Sequence, residues 1–489
     1  MSTSERADVD GVSVSPDHYI NGERVATTRT FEDHSPLDWS WKLADVARGS
    51  AVEAGWALSA ALAAFPDWSS RTTDERGTYL ERLADLIDRD VERIAHVECL
   101  DMAMLEESLR ERVIARGARN FRAYAQLARD FVPRRWTSNG TANTVLRMPA
   151  GPTVVITPWN APFMLSTWKC APALAAGNTV ILKPAEWSPL SCSMLMDLVD
   201  EVGFPPGVFN LVQGFGEEIG SALVNDPRVR RISFTGSPET GRIIGEAAAK
   251  NLVPFTAELG GKGPFMVFAD SDLDAAAQKA AVMYDDSGQV CLAGTRLLVE
   301  ASVRDQFVEL FERATRRHNL GDSRDPATTV SPLIHPSHMA RVDGFVKRAR
   351  MNGDTILFGG QAEREGGLWY QPTLIEPLSN DSEVVQYEVF GPVLTLQSFH
   401  DEDEAVALAN STAYGLSAII YTSSENRAER LGARLRAGTI WVNCFLVRDL
   451  TAPFGGTGVS GIGREGGDYA LDFYSDLKTL QIKEGTTHG

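Results

Sequence analysis

Cys291 stands in the heptad Gly288-Gln289-Val290-Cys291-Leu292-Ala293-Gly294. A lone cysteine is usually inert core, but glycine and polar neighbours on both sides disfavour simple burial of this one. Thirty-three residues earlier, Glu258 opens the segment Glu258-Leu259-Gly260-Gly261-Lys262. A thiol and a carboxylate in such settings suggest a nucleophile and a general base. Asn160, in Pro158-Trp159-Asn160, follows the apolar run 153–157. A side-chain amide beside a thiol can donate to a developing oxyanion, with the nucleophile's own N–H as second donor, although an Asn after a strand is by itself a turn residue.

Other motifs suit a nucleotide. Ile232-Ser233-Phe234 runs into Thr235-Gly236-Ser237-Pro238-Glu239-Thr240-Gly241 and then a helix. A strand, a glycine turn and a helix N-terminus offer backbone N–H groups to a phosphate, with plain helix capping as the alternative. The G-x-x-x-x-G spacing lacks the Gly-Lys-Ser ending of an NTPase loop. In Gly214-Phe215-Gly216-Glu217-Glu218-Ile219-Gly220 the third glycine falls one residue late for a dinucleotide fingerprint, which leaves a loop lining the site at best. Lys183-Pro184-Ala185-Glu186 closes the run 179–182. A carboxylate there can accept from ribose hydroxyls and would repel a 2′-phosphate, favouring NAD over NADP; a surface ion pair is the other reading. Glu388-Val389-Phe390-Gly391-Pro392 adds a carboxylate before a strand. Asp270-x-Asp272-x-Asp274 has Ala275 where a calcium loop needs Gly, so helix capping explains it better.

The elements that must position these groups follow from periodicity. The first organised region reads as helical, over 51–65, 73–90 and 91–124. From residue 145 apolar runs at 153–157, 179–182, 208–212 and 231–234 alternate with helical stretches such as 188–202 and 240–250. A second alternating block has strands at 264–268, 296–299, 393–399 and 418–421 between helices at 273–285, 303–315 and 401–410. Strands alternating with helices predict α/β architecture with two parallel sheets covered on both faces. Segments 136–148 and 474–483 are strand-like and fit neither block; such arms pair with a neighbouring subunit's sheet edge. There is no tandem repeat and no low-complexity tract.

At 489 residues the chain should form two large domains. The formal charge of −18 argues against nucleic acid or an anionic membrane as partner, while leaving room for a small anionic substrate met by local basic residues. No run approaches a membrane helix and residues 1–10 are polar with mixed charge, which points to the cytoplasm. The five cysteines, Cys99, Cys170, Cys192, Cys291 and Cys444, form no C-x-x-C pair and suit a reducing compartment, most of them as core. No metal is expected.

Taken together and in this order, the motifs resemble the NAD(P)-dependent aldehyde dehydrogenase superfamily. The match rests on Pro158-Trp159-Asn160, Lys183-Pro184-Ala185-Glu186, Phe234-Thr235-Gly236-Ser237, Glu258-Leu259-Gly260-Gly261-Lys262, Gly288-Gln289-Val290-Cys291, Glu388-Val389-Phe390-Gly391-Pro392 and Pro453-Phe454-Gly455-Gly456, and spans nearly the whole chain. The resemblance implies that Cys291 attacks an aldehyde carbon, that Asn160 and the Cys291 N–H hold the oxyanion, and that hydride passes to a nicotinamide to leave a thioester. Glu258 would activate water to hydrolyse it. Lys183, grouped also with the catalytic residues, and Glu186 would hold the adenosine ribose. Ser237 and Trp159 would hold the pyrophosphate region, and Glu388 with Phe390 the nicotinamide ribose. Gly216, Gly220 and Thr240 would line the adenine side. Ile156, Thr157, Pro158, Phe234, Gly236, Leu259 and Gly260 complete the expected NAD contacts. His338 falls where many relatives carry a Gln that touches that ribose.

The implied architecture is a discontinuous NAD-binding domain (1–130 and 149–259), a catalytic domain (260–470) and an oligomerisation arm (131–148 and 471–489). The implied assembly is a homo-oligomer, a dimer or a dimer of dimers, that is, a homotetramer. Arg116, four residues before Asn120-Phe121-Arg122, and Val447-Arg448-Asp449-Leu450 resemble the hydroxymuconic and aminomuconic semialdehyde branch, in which such arginines bind a substrate carboxylate. The chain departs from that branch at Thr451-Ala452, where relatives often carry another Arg. An ion pair with Asp449 or a helix neighbour is the structural alternative for each arginine. A carboxylate-bearing semialdehyde is therefore the expected substrate. An apolar or aromatic aldehyde is the second reading, with Trp168, Phe163 and Phe445 near the expected tunnel. A CoA-acylating enzyme and a non-catalytic scaffold are further alternatives; the presence of Glu258, and of Cys291, Glu258 and Asn160 together, argues against them.

Overall fold

The computed structural model describes residues 5–363 and 367–483; the remainder of the expected 471–489 arm and the first residues of the polar N-terminus lie outside the described residues. Two large sheets dominate. In the first, five strands run parallel in the order Phe255–Glu258, Arg231–Thr235, Thr153–Ile156, Val180–Lys183 and Phe209–Leu211. Antiparallel strands close its edges, with Gly461–Ile462 on one side and the hairpin His18–Ile20 and Glu23–Val25 on the other. The chain starts at Thr153–Ile156, builds outward on one side and returns to build on the other. The strand order therefore reverses between Thr153–Ile156 and Arg231–Thr235, and the crevice outside the carboxyl ends of those strands is where open α/β sheets bind ligands.

The second sheet is parallel through Thr373–Glu376, Val393–Phe399, Arg296–Glu300, Pro264–Val267, Ser417–Tyr421 and Thr439–Val442, with Thr355–Phe358 antiparallel at one edge. Pro264–Val267 and Ser417–Tyr421 are buried at every position, as strands covered by helices on both faces must be. This is the α/β arrangement that the alternating pattern predicts.

Several elements differ from the sequence reading. The expected helices over 51–65 and 73–90 are present as Ala51–Ser70 and Thr73–Arg89, but six short strands between Ala7 and Ala47, too short for a periodic signal, precede them. The expected helix over 91–124 breaks at Ala103, a left-handed residue (φ 61°), and resumes through the wide turn Leu109–Ile114 into Ala115–Asp130. The expected helix over 273–285 stops at Ala281, because Asp286 and Ser287 are both left-handed at φ 52°. Segment 136–148 is a hairpin, Arg135–Ser138 and Thr141–Pro149, rather than one strand. Ser475–Lys483 pairs antiparallel with Thr141–Pro149 over nine residues, so the two odd segments meet within one chain as a three-stranded sheet. Asp272 caps Leu273–Ala281 by accepting from the Ala275 N–H at 3.0 Å, as expected. No helix among the described residues is long and apolar enough to cross a membrane.

Candidate active site

The carboxyl ends of Thr153–Ile156, Arg231–Thr235 and Phe255–Glu258 face a cavity of about 380 Å³ lined by Cys291, Asn160, Glu258, Trp168, Arg116 and Arg448 among others. Residues far apart in sequence thus meet at one wall. Asn160 sits just past the first of these strands, and its Nδ2 donates to the Gln289 carbonyl at 2.9 Å, two residues before the thiol. One amide N–H is thereby spent on holding the loop, and the other is left for a ligand oxygen. Gln289 is itself fixed: its side chain donates to the Asp286 carbonyl at 3.2 Å and accepts from the Ile334 N–H at 3.0 Å.

Glycines press this loop from both sides. A Cβ on Gly261 would stand 2.1 Å from the Cys291 carbonyl oxygen, and one on Gly288 would stand 2.4 Å from the Gly391 carbonyl oxygen. The Gly261 N–H also donates to Glu388 Oε1 at 2.7 Å. The segments after Glu258, around Cys291 and around Glu388 are therefore locked together by backbone contact, which only glycine permits.

Cys291 is partly exposed to the cavity. Desolvation, then the carboxyls of Glu388 and Glu258, push its thiol up to about 12, and the Arg448 guanidinium pulls the other way. Glu258 is 6 % exposed, and its Oε2 has no hydrogen-bond partner. Burial, followed by the nearby Glu465 carboxylate, raises its carboxyl well above the usual range, against the lowering influence of Lys169, Arg448 and Arg464. A buried, raised carboxyl with a free oxygen beside a thiol is suited to proton transfer near neutral pH.

Behind Glu258 lies a pair that the sequence reading missed. Lys169 and Glu465, both fully or almost fully buried, form an ion pair; Glu465 also accepts from Trp168 Nε1 at 2.6 Å and from Ser233 Oγ at 3.3 Å. The available signal was Lys169 itself, a charge inside the otherwise apolar helix Pro162–Ala175. Charged groups persist in such places only when paired.

The expected cofactor residues gather at the neighbouring strand ends. Lys183 is buried; its Nζ donates to the Pro184 carbonyl at 3.0 Å and lies 3.4 Å from Glu186 Oε2, away from the Cys291 cavity. Burial lowers its ammonium below the ordinary value, with Glu186 opposing. Ser237 caps Pro238–Lys250, its Oγ accepting from the Thr240 N–H at 3.1 Å. Thr157 turns its hydroxyl inward to Ser166 at 2.9 Å and so offers a ligand only its backbone. Gly236 and Gly260 are cradles that a Cβ would fill, at 2.4 Å from Phe234 Cζ and 2.3 Å from Glu388 Oε2, whereas Gly216 faces open space. Gly220 packs against the Lys183 stem. Gly216–Gly220 is a wide helical turn rather than a plain loop. Burial raises the Glu388 carboxyl to about 7. Phe390 is held left-handed at φ 61°, its carbonyl 2.7 Å from His338 Nε2, with both rings edge-on to Trp159 at 5.3 Å. The carboxylates Glu186 and Glu388, the capped helix N-terminus at Ser237 and the glycine cradles are of the chemistry that suits a dinucleotide. Among the described residues no group of three or more His, Cys, Asp or Glu is placed to hold a metal.

Of the residues expected at the substrate end, Trp168, Arg116 and Arg448 all line the cavity. Arg116 lies 5.3 Å and Arg448 6.0 Å from the Trp168 ring, and Arg448 stacks on Phe454 at 3.8 Å. The ion-pair alternative fails: among the described residues neither arginine has a carboxylate within 4.0 Å, and Asp449 instead accepts from Thr451. Phe163 is core, fully buried against Gly117, and Phe445 is not part of the cavity wall. The apolar lining includes Met164, Leu165, Val113 and Phe454, none of which the sequence reading named as tunnel residues.

Comparison with known proteins agrees with this geometry. Residues 24–480 match the model of the aldehyde dehydrogenase family. A 2-hydroxymuconic semialdehyde dehydrogenase of Pseudomonas sp. (strain CF600) is 40% identical, covering 95% of this chain and 99% of its own. A 2-aminomuconic semialdehyde dehydrogenase of Homo sapiens is 37% identical, covering 87% and 90%. An indole-3-acetaldehyde dehydrogenase of P. syringae, solved in complex with NAD+ and IAA, superposes with a TM-score of 0.95 at 35% identity over 97% of this chain and 98% of its own. The chain belongs to the aldehyde dehydrogenase family.

Proposed function

We propose that the protein oxidises a semialdehyde bearing a carboxylate to the corresponding acid, with NAD as acceptor. The observation that carries the substrate class is the pair of guanidiniums, Arg116 and Arg448, left without carboxylate partners among the described residues and both near Trp168 in the Cys291 cavity. Two relatives named for muconic semialdehydes point the same way. Glu186 at the ribose end favours NAD, since a 2′-phosphate there would meet a carboxylate.

In this reading Glu258 takes the Cys291 thiol proton and passes it to solvent, the sulfur attacks the aldehyde carbon, and the new oxyanion takes hydrogen bonds from Asn160 Nδ2 and the Cys291 N–H. Lys183, Glu186, Ser237 and Glu388 would hold NAD, which when bound would supply the acceptor for the hydride. The thioester left on Cys291 is hydrolysed by a water whose proton goes to Glu258, and cleavage of the C–S bond returns the thiol. Lys169 and Glu465 position Glu258 and set its charge.

The three-stranded sheet is the proposed oligomerisation arm of a dimer or dimer of dimers, with 1–130 and 149–259 as cofactor domain and 260–470 as catalytic domain. It offers an open edge and exposed apolar side chains at Trp136, Leu477, Leu480 and Ile482. The five unpaired cysteines suit the reducing cytoplasm.

NADH formation across acidic, aromatic and aliphatic aldehydes, with NAD and NADP compared, tests the reading. Acidic semialdehydes should give the highest kcat/KM, and Arg448→Ala should raise their KM. An unchanged KM in that variant would count against carboxylate recognition, and turnover strictly dependent on added CoA would replace hydrolysis by acyl transfer.

A further inference from the structure

The helical segment that carries Arg116 holds five further arginines whose surroundings differ by face. Arg110 pairs with Glu92, Arg122 with Asp85 and Asp88, and Arg129 with Asp74 and Glu81. Arg112 and Arg119, four residues before and three after Arg116, have no carboxylate within 4.0 Å among the described residues, and both line the Cys291 cavity. The wide turn Leu109–Ile114 leads into Ala115–Asp130 and brings all three to one wall. Arg112 donates to Ser108 Oγ at 2.8 Å. Arg112 and Arg119 are exposed, whereas Arg116 and Arg448 are largely withdrawn from solvent, so the four cations form an outer and an inner pair.

We propose that Arg112 and Arg119 form a second anion subsite at the mouth of this cavity, and that the substrate is a semialdehyde carrying two carboxylates. The inference rests on the acidic-semialdehyde reading above and goes further on charge. Four guanidiniums share one cavity in a chain whose formal charge is −18. The cavity's own carboxyls do not fully balance them: Glu465 is taken by Lys169, and burial disfavours ionisation of Glu258 and, against the pull of Arg112, of Asp286. The cations also repel one another, since Arg448 and Arg119 both add to the burial that lowers Arg116 to about 10. One carboxylate on the inner pair leaves the outer pair uncompensated. A second carboxylate matches it, with the planar fork of each guanidinium suited to bidentate contact.

The test uses three aldehydes of one chain length: hexanal, adipic semialdehyde, and adipic semialdehyde bearing a second carboxylate on the carbon next to the first. The wild-type enzyme should gain roughly tenfold in kcat/KM at each added carboxylate. In the Arg112→Ala/Arg119→Ala double variant the ratio of dicarboxylate to monocarboxylate kcat/KM should fall about tenfold. This ratio is insensitive to partial loss of folded enzyme. The same ratio should fall with added salt in the wild type and not in the variant, because exposed charges are screened. A wild-type ratio of one or less, or a ratio that the double substitution leaves in place, overturns the second subsite alone. Hexanal turned over as well as either acid overturns the acidic-semialdehyde reading and the subsite with it.

Discussion

Substituting Gly261 with Ala tests whether backbone contact between the Glu258 and Cys291 segments fixes the nucleophile. The new Cβ would stand 2.1 Å from the Cys291 carbonyl oxygen, 0.9 Å short of the 3.0 Å that real Cβ contacts respect. Gly261 cannot simply retreat, because its N–H is committed to Glu388 Oε1 at 2.7 Å. Cys291 cannot move freely either, since Gly288 on the other flank abuts the Gly391 carbonyl. A displacement near 1 Å at a reacting atom costs on the order of a hundredfold in rate. Crowding of a packed interior adds about 1–3 kcal/mol of destabilisation, which a large protein tolerates at ordinary temperature. We expect Gly261→Ala to lose about a hundredfold in kcat while still melting cooperatively, with kcat measured at saturating aldehyde and cofactor. Gly432→Ala is the matched control. It lies in the helix Glu425–Arg434 with nothing within 4 Å of the added methyl, and should gain up to about 1 kcal/mol in stability with kcat unchanged. If the Gly261 variant keeps kcat within about threefold of the wild type, this locking is not what positions the thiol.

Asn160→Ala should lower kcat by about 10²–10³, because it deletes the proposed oxyanion donor and also releases the Gln289 carbonyl held at 2.9 Å; steady-state turnover with any accepted aldehyde reads it. Glu465→Gln removes the carboxylate that helps raise Glu258 and leaves the Lys169 ammonium unopposed. In the proposed role of base Glu258 acts deprotonated, so activity should fall as pH drops through its pKa, and lowering that pKa should move the acidic limb of the kcat–pH profile down by about one unit. Arg448 is the cation that opposes the raised pKa of Cys291. Arg448→Ala should therefore shift the pH profile of Cys291 alkylation by iodoacetamide upward, as followed by mass spectrometry; an unmoved profile would remove Arg448 from the thiol's electrostatics.

Where sequence and structure part company, local chemistry explains it. The parallel strands were legible because double-sided burial writes a continuous apolar run, as in Val180–Lys183 and Pro264–Val267. The N-terminal strands were not, being three to six residues long, yet their turns were signposted. Asp10-Gly11, Asn21-Gly22 and Asn139-Gly140 each pair two positive φ values, the two-residue hairpin turn that Asn-Gly and Asp-Gly favour. The break at Ala103 carried no such mark, since alanine is an unusual left-handed residue and only tertiary packing holds it there. In the site, Cys291, Glu258 and Asn160 were recognisable because each has glycine or proline close by in sequence, Glu258 ending a strand, Asn160 following one and Cys291 in a turn before one. Glu465 was hidden: its partner Lys169 lies 296 positions away, and only the fold makes them one network.

That network shows how one cavity can hold a thiol and a carboxyl that both resist ionisation. Burial disfavours the charged forms of both Glu258 and Cys291, and the Glu465 carboxylate adds to that at Glu258. Lys169 compensates Glu465 from the sealed side, while Arg448 acts on both Cys291 and Glu258 from the open side. The sealed cation is out of reach of a substrate, but the open one can be neutralised by whatever anion enters. A carboxylate bound to Arg448 would withdraw part of the field that favours thiolate and raise the basicity of Glu258. Arg116, Arg112 and Arg119 therefore matter beyond affinity: with more than one guanidinium at the mouth, an acidic substrate can be held while Arg448 keeps some of its charge for the thiol. A single arginine would have to choose between the two tasks.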